Sequence, residues 1–161
     1  MKIIKKEGNV MNPDRYNRCC FYCTHNETLH ERMIEIKPLH VSTFYLNRDQ
    51  THRGRSIVAL NWHVDELFQL SNVERNEFAD DVAHAAQTLA KVFSPDKINY
   101  AIYGDSVSHL HVHLVPKYKT DFDWDDAFVN NPSEPKKLTE YDYQNLIQGI
   151  KANLVYEEDL E

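Results

Sequence analysis

The spacing of apolar residues changes several times along the chain and predicts most of its elements. Met33-Ile34-Glu35-Ile36 reads as a short strand, with Lys37-Pro38 as a break behind it. Val41-Ser42-Thr43-Phe44-Tyr45-Leu46 is β-branched and aromatic, and Ser56-Ile57-Val58-Ala59-Leu60 is a short apolar run; both predict strands. The polar segment Asn47 to Arg55 joins them, with Gly54 as its only glycine. It is longer than a hairpin turn requires, and such loops often carry function. From Ser71 the period lengthens. Val73, Phe78, Val82, Ala85, Ala86, Leu89 and Val92-Phe93 form the stripe of an amphipathic helix. Ser71-Asn72-Val73-Glu74 opens it as a capping box and Ser94-Pro95 ends it.

The remaining text is sparser. Val64 to Leu70 has room for one helical turn. Ile98 to Ile102 and Leu110 to Val115 predict two more strands, ended by Gly104 and Pro116. The acidic, aromatic stretch after Lys119, which holds Trp124 and two prolines, predicts loop. Thr139 caps a last helix to about Asn153, with Asp142 favourable in its first turn. Residues 1–18 are polar and aperiodic and read as a peripheral lead-in. Strands in near-adjacent pairs around one long helix predict an α+β fold with a mainly antiparallel sheet, as a single domain over 1–161.

Composition narrows the class. Hydrophobic residues are 42% and charged residues 27% of the 161, which excludes disorder throughout. No stretch approaches the roughly 18 apolar residues of a membrane span, and Met1 to Asn9 lacks a signal-like apolar region. A cytoplasmic location is the default expectation. A net charge of −7 argues against nucleic-acid polymers and anionic membranes as partners, while leaving room for a small anion. Three cysteines, Cys19, Cys20 and Cys23, make an odd, clustered set, which is no disulfide framework. Metal half-site, redox pair and coincidence stay open.

The feature that stands out is a run of histidines. Three of the nine lie at His109, His111 and His113. Alternation in a strand puts their imidazoles in one row, with Leu110, Val112 and Leu114 turned to a core. A neutral imidazole is a competent nucleophile near neutral pH, provided its other ring nitrogen holds the proton against an acceptor. A neighbouring imidazole can hold a phosphate oxygen or serve a leaving group. Metal binding is the competing chemistry.

His-Leu-His-Val-His-Leu-Val at 109–115 resembles the motif of the histidine triad (HIT) superfamily of nucleotidyl hydrolases and transferases, in its zinc-containing bacterial-type hydrolase branch. Gly104-Asp105-Ser106-Val107 before it, Pro116-Lys117 after it, and Leu46-Asn47-Arg48 with Gly54 resemble the family's flanks and its nucleoside-binding loop. The likeness covers about 19–119. It implies a HIT-like fold in which His111 attacks an α-phosphorus and forms a nucleotidyl-histidine. His113 then assists at the phosphate and Ser106 lies near the scissile bond. Asn47, Arg48, Arg55, Asn99 and Asp105 would bind substrate. Arg55 stands where some members carry histidine, and Asp105 where the family has glutamine, departures that bear on substrate preference.

The resemblance also implies a structural zinc held by Cys20, Cys23, His63 and His109, with Cys19 a bystander. Mg²⁺ could accompany a polyphosphate. The expected function is hydrolysis of a nucleotide conjugate, of the diadenosine polyphosphate or nucleoside phosphoramidate type, by a homodimer. The alternatives are a nucleotide-binding regulator with little turnover and a transferase to an acceptor other than water. His113 speaks against the transferase, because the sugar-phosphate transferases of the superfamily carry glutamine there. The long helix would pack against its twin in the dimer. Trp124 either reaches a neighbouring active site or packs.

Overall fold

Three strands that read as apolar runs become the middle of a sheet. β3 (Met33–Pro38), β4 (Ser42–Asn47), β5 (Ser56–Leu60), β6 (Lys97–Ala101) and β7 (His111–Lys117) form one five-stranded sheet, ordered β3-β4-β5-β7-β6 and antiparallel throughout. This computed structural model describes residues 14–154, together with the backbone of 4–6, 9–11 and 13. α3 (Asn72–Phe93) and α4 (Glu140–Asn153) pack with Phe44, Leu46, Val58, Val112 and Leu114 into the larger core. Two short helices, α1 (Phe21–Thr24) and α2 (Glu27–Arg32), serve a smaller cluster of Tyr22, Leu29, Met33, Tyr45, Ile57 and Ala59. The α+β fold expected from the sequence is what the chain adopts. Among the described residues no helix is long and apolar enough to cross a membrane.

Register decides which side chains reach which face. His111 pairs with Ala59 and His113 with Ile57, both members of the smaller cluster. Val112 and Leu114 therefore point toward the helices. The α3 cap forms as expected: Ser71 accepts from the Glu74 N–H, and Glu74 Oε2 accepts from the Ser71 N–H at 2.8 Å. Asp81, 1% exposed, fixes that helix to the sheet. Its carboxylate accepts from the backbone N–H of His40 and Val41 and from Ser42 Oγ at 2.6 Å. At the other end, Gly54 has φ +86, and a Cβ there would meet the Phe93 ring at 2.7 Å. Only glycine suits that position.

Several expectations change. β3 runs through Lys37-Pro38 with a register irregularity between Glu35 and Lys37, because an edge strand tolerates a proline. Val73 is 65% exposed and lies off the apolar stripe. The stripe's other members pack against this chain's own sheet and α4. α1 and α2 carry no sequence periodicity that announces them. The turn within Val64 to Leu70 is a 3-10 turn over Leu67–Gln69. Of the lead-in, 1–13 lies outside the described residues apart from backbone, where β1 (Ile4–Lys6) pairs with β2 (Asn9–Met11). Arg15 is not loose: its carbonyl accepts from the His63 N–H at 2.8 Å and its side chain pairs with Glu74.

Candidate functional site

β7 begins at the second histidine of the run, and the first stands just before it. His109 and Leu110 stand before the strand, held by Leu110 N–H to Val64 O at 2.8 Å and Leu60 N–H to Leu110 O at 3.2 Å. From there the His109 ring reaches the N-terminal cysteines.

There the donor atoms converge. His109 Nε2 donates to the Leu60 carbonyl at 2.8 Å, which leaves Nδ1 as the lone-pair nitrogen. That nitrogen lies 3.4 Å from Cys20 Sγ, 3.6 Å from Cys23 Sγ and 3.2 Å from His63 Nδ1, and His63 Nδ1 lies 3.5 Å from Cys23 Sγ. A tetrahedral zinc with ordinary bond lengths separates its ligands by about 3.3 Å for two nitrogens and about 3.6 Å for nitrogen and sulfur. The four donors fit that shape. Both outer nitrogens are anchored, His63 Nε2 facing Asp65 Oδ1 at 3.1 Å, as ligating histidines usually are. The two thiols share a hydrogen bond that lowers Cys20 toward the thiolate and raises Cys23. Two imidazoles at the cysteines favour a metal cluster over a redox pair. Cys19 is exposed and its side chain is outside the cluster. The only other such group among the described residues is His52, Asp121 and Asp123; no trio of donors converges in the cleft, and Mg²⁺ finds no support.

His111 sits in a different setting. Its Nδ1 donates to the His109 carbonyl at 2.6 Å, so the lone pair is on Nε2. Burial holds it below the ordinary histidine range, which keeps the ring neutral. His113, 5.0 Å away between ring centroids, is pushed down to about 3 by burial, then by His111 and Arg55. Its Nδ1 is buried without a hydrogen-bond partner. The Tyr22 ring packs on both His109 and His111, at 5.0 and 5.4 Å, and joins the metal cluster to the second histidine.

Both inner histidines open on a cleft of about 800 Å³. One wall is the β4–β5 loop. Asn47 lines it, with Oδ1 accepting the Asp49 N–H at 2.8 Å. Arg48 stands on the rim, engaged by Glu140 and the His30 carbonyl, both at 2.7 Å. Arg55 is buried at 4% exposure and bound to Asp49 and Asn130. Asp105 and Ser106 are exposed on the opposite rim. Asn99 does not join them: it lies on β6 opposite Val115, outside the cleft lining.

The segment after β7, which the sequence leaves as plain loop, closes the third wall. Asn130, Asn131, Pro132, Pro135 and Lys137 line the cleft. His52, with no role assigned from sequence, is buried and bound to Asp123 Oδ2 at 2.9 Å, while the buried Lys117 pairs with Asp123 and donates to the Asp126 carbonyl at 2.8 Å. These contacts pin the segment to the sheet. Its missed residues are Tyr22's counterparts in kind: they act through partners far away in sequence and leave no periodic signal. Trp124 is half-buried, and the cleft of its own chain does not include it.

Comparison with known proteins agrees with this geometry. Residues 41–120 match the family model of the HIT domain. The chain is 30% identical over 91 residues to an asymmetrical bis(5'-nucleosyl)-tetraphosphatase of Schizosaccharomyces pombe, covering 53% of this chain and 50% of that protein. The chain thus spans about half the length of this curated relative. Among solved structures, a histidine triad protein of Sinorhizobium meliloti superposes with a TM-score of 0.73 at 23% identity, covering 80% of this chain and 95% of that one. A zinc-bound histidine triad family protein of Mycobacterium smegmatis superposes with a TM-score of 0.58 at 20% identity, covering 80% and 88%.

Proposed function

The chain belongs to the histidine triad family, and from that premise we propose that it hydrolyses nucleotide conjugates through a covalent nucleotidyl-His111 intermediate. The observation that carries this is the His111 Nδ1 bond to the His109 carbonyl at 2.6 Å, inside a buried neutral pair of imidazoles. Nε2 then attacks the α-phosphorus: the N–P bond to His111 forms and the bond from phosphorus to the leaving group breaks, an oxygen departing as the phosphate anion and a nitrogen departing with a proton taken from solvent. Water next attacks the phosphorus, the N–P bond breaks, and the nucleotide leaves. His113 receives the water's proton and passes it to solvent, while Ser106 on the rim steadies the leaving group. Asn47 and Arg55 hold ribose and phosphate, with Arg48 at the mouth. Diadenosine polyphosphates and nucleoside phosphoramidates are the substrate types to assay. Replacing His111 with Asn should remove turnover and leave AMP binding within threefold; turnover near the wild-type rate would end the reading.

Cys20, Cys23, His63 and His109 would hold a zinc ion with all four positions filled by protein, which supplies rigidity and no open coordination site. That rigidity is passed to His111 through the His109 carbonyl. A homodimer belongs to the same reading; β6 is a sheet edge, with Tyr100 on it and Ile102 just past it each half exposed or more. Light scattering during size exclusion reads it directly.

One observation favours a second reading, a nucleotide-binding protein with little turnover. Asp105 puts a carboxylate on the rim facing an anionic substrate. Tight binding without product across the substrate panel would select it.

A further inference from the structure

A guanidinium has five N–H groups arranged as two forks. In Arg55 the end fork is filled. Nη1 donates to the Asn130 main-chain carbonyl at 3.0 Å and Nη2 to Asn130 Oδ1 at 2.7 Å, while Nη1 also donates to Asp49 Oδ2 at 2.9 Å. Asn130 thus grips two nitrogens at once, with its main chain and its side chain. What is left is the side fork, Nε–H and the second Nη2 hydrogen.

That fork has no acceptor at Nε, which is buried without a hydrogen-bond partner. Arg55 lines the cleft, and its guanidinium lies 5.4 Å from the centre of the Phe128 ring. The same ring packs on His113 at 6.0 Å, and His113 Nδ1 is the second buried nitrogen there without a partner. Buried polar atoms are almost always paired. Two unpaired nitrogens against one ring, one of them on a permanent cation, mark where an acceptor belongs. Phosphate oxygens match the geometry and charge of a guanidinium fork.

We propose that Asn130 is a positioning residue: by filling the end fork of Arg55 it reserves the Nε fork for a phosphate oxygen of the substrate. This rests on the nucleotide reading of the cleft. It also gives the segment after β7 a function, because Asn130 reaches Arg55 across 75 positions of sequence. Without the Asn130 side chain, Nη2 loses its fixed partner and the guanidinium is held through Nη1 alone, by the residue-130 carbonyl and Asp49, so it can turn.

The test is a double-mutant cycle on the intact chain, read by calorimetric titration with AMP and with inorganic pyrophosphate, and by steady-state kinetics. Asn130→Ala is expected to weaken AMP about tenfold and to raise KM about as much, with kcat changed less than threefold. In an Arg55→Lys background, which keeps the cation and removes both forks, the same change should cost less than twofold. Asn130→Ser, which replaces the amide with a shorter hydroxyl, is the second variant should the alanine chain not fold, and is expected to move AMP binding in the same direction. Wild-type affinity in both variants, or an equal tenfold loss in the Arg55→Lys background, would overturn the proposal. A chain that binds AMP in this Asn130-dependent way yet cleaves no conjugate would end the hydrolase reading and keep this one. Normal turnover with a silent Asn130 would do the reverse.

Discussion

The two ends of the histidine run differ in how their nitrogens are partnered. At His109 both ring nitrogens are engaged, one by the Leu60 carbonyl and the other by the cysteine and histidine donors. At His113 the Nδ1 atom is buried with nothing to bond. His111 stands between, one nitrogen fixed on a carbonyl and the other free. A fully partnered buried imidazole stabilises; a buried imidazole with an unmet nitrogen costs stability and is kept for what it does to a ligand. In the proposed reading, the same residue type thus passes, within five positions, from bracing to chemistry.

The largest effect should come from the middle residue. His111→Ala is expected to lower kcat by roughly 10⁴-fold or more, the scale of losing a nucleophile, with a Tm close to wild type. A comparable loss of stability would instead place His111 with the bracing end. Breaking the braced end should do the opposite. Cys23→Ser is expected to drop bound zinc from about one to below about 0.2 per chain by elemental analysis. It should also lower Tm by on the order of 10 °C. Activity should fall less than in the His111 variant, since it is lost through the His109 carbonyl and not directly. Unchanged Tm on metal loss would contradict the bracing role.

Smaller changes sharpen the division. Gly54→Ala puts a side chain into a φ +86 position against the Phe93 ring and loosens the turn that ends in Arg55. A loss of about 2–3 kcal/mol follows, or roughly 5–10 °C in Tm, checked by calorimetry. The least dramatic prediction concerns pH. Burial lowers the pKa of both inner histidines, so their neutral forms persist below the ordinary value near 6.5. Log kcat/KM should stay level as pH falls from 7.5 to about 6 and decline only below that. A decline centred on 6.5 or higher would show that neither ring is protected by burial.

Much of this was legible in the sequence because it is local. The Ser71 and Glu74 caps, the α3 stripe, Thr139 and the C-x₂-C spacing all act within a few residues. The long-range half was not. Cys20 and Cys23 announce half a metal site by their spacing; His63 and His109 follow only from the family resemblance, and the fold brings them to the cysteines. Alternation does not show that β7 begins only at His111, because a strand's start is set by pairing with β5 and not by its own pattern. Asn130, Phe128 and Asp123 sit in a stretch with no period, Asp123's partner His52 lies in the β4–β5 loop, and nothing local marks them. α1 and α2 are too short for periodicity to show and are held by tertiary contact of Tyr22 and Leu29.

The division between bracing and chemistry is tested most directly by trapping the intermediate. The chain is mixed with a slowly cleaved nucleotide conjugate, quenched at alkaline pH where a phosphorus–nitrogen bond survives, and mapped by peptide mass spectrometry. A nucleotidyl adduct on His111 alone, absent from His111→Asn, is the predicted result. An adduct on His109 or His113, or product formed at the normal rate by His111→Asn, would contradict the account.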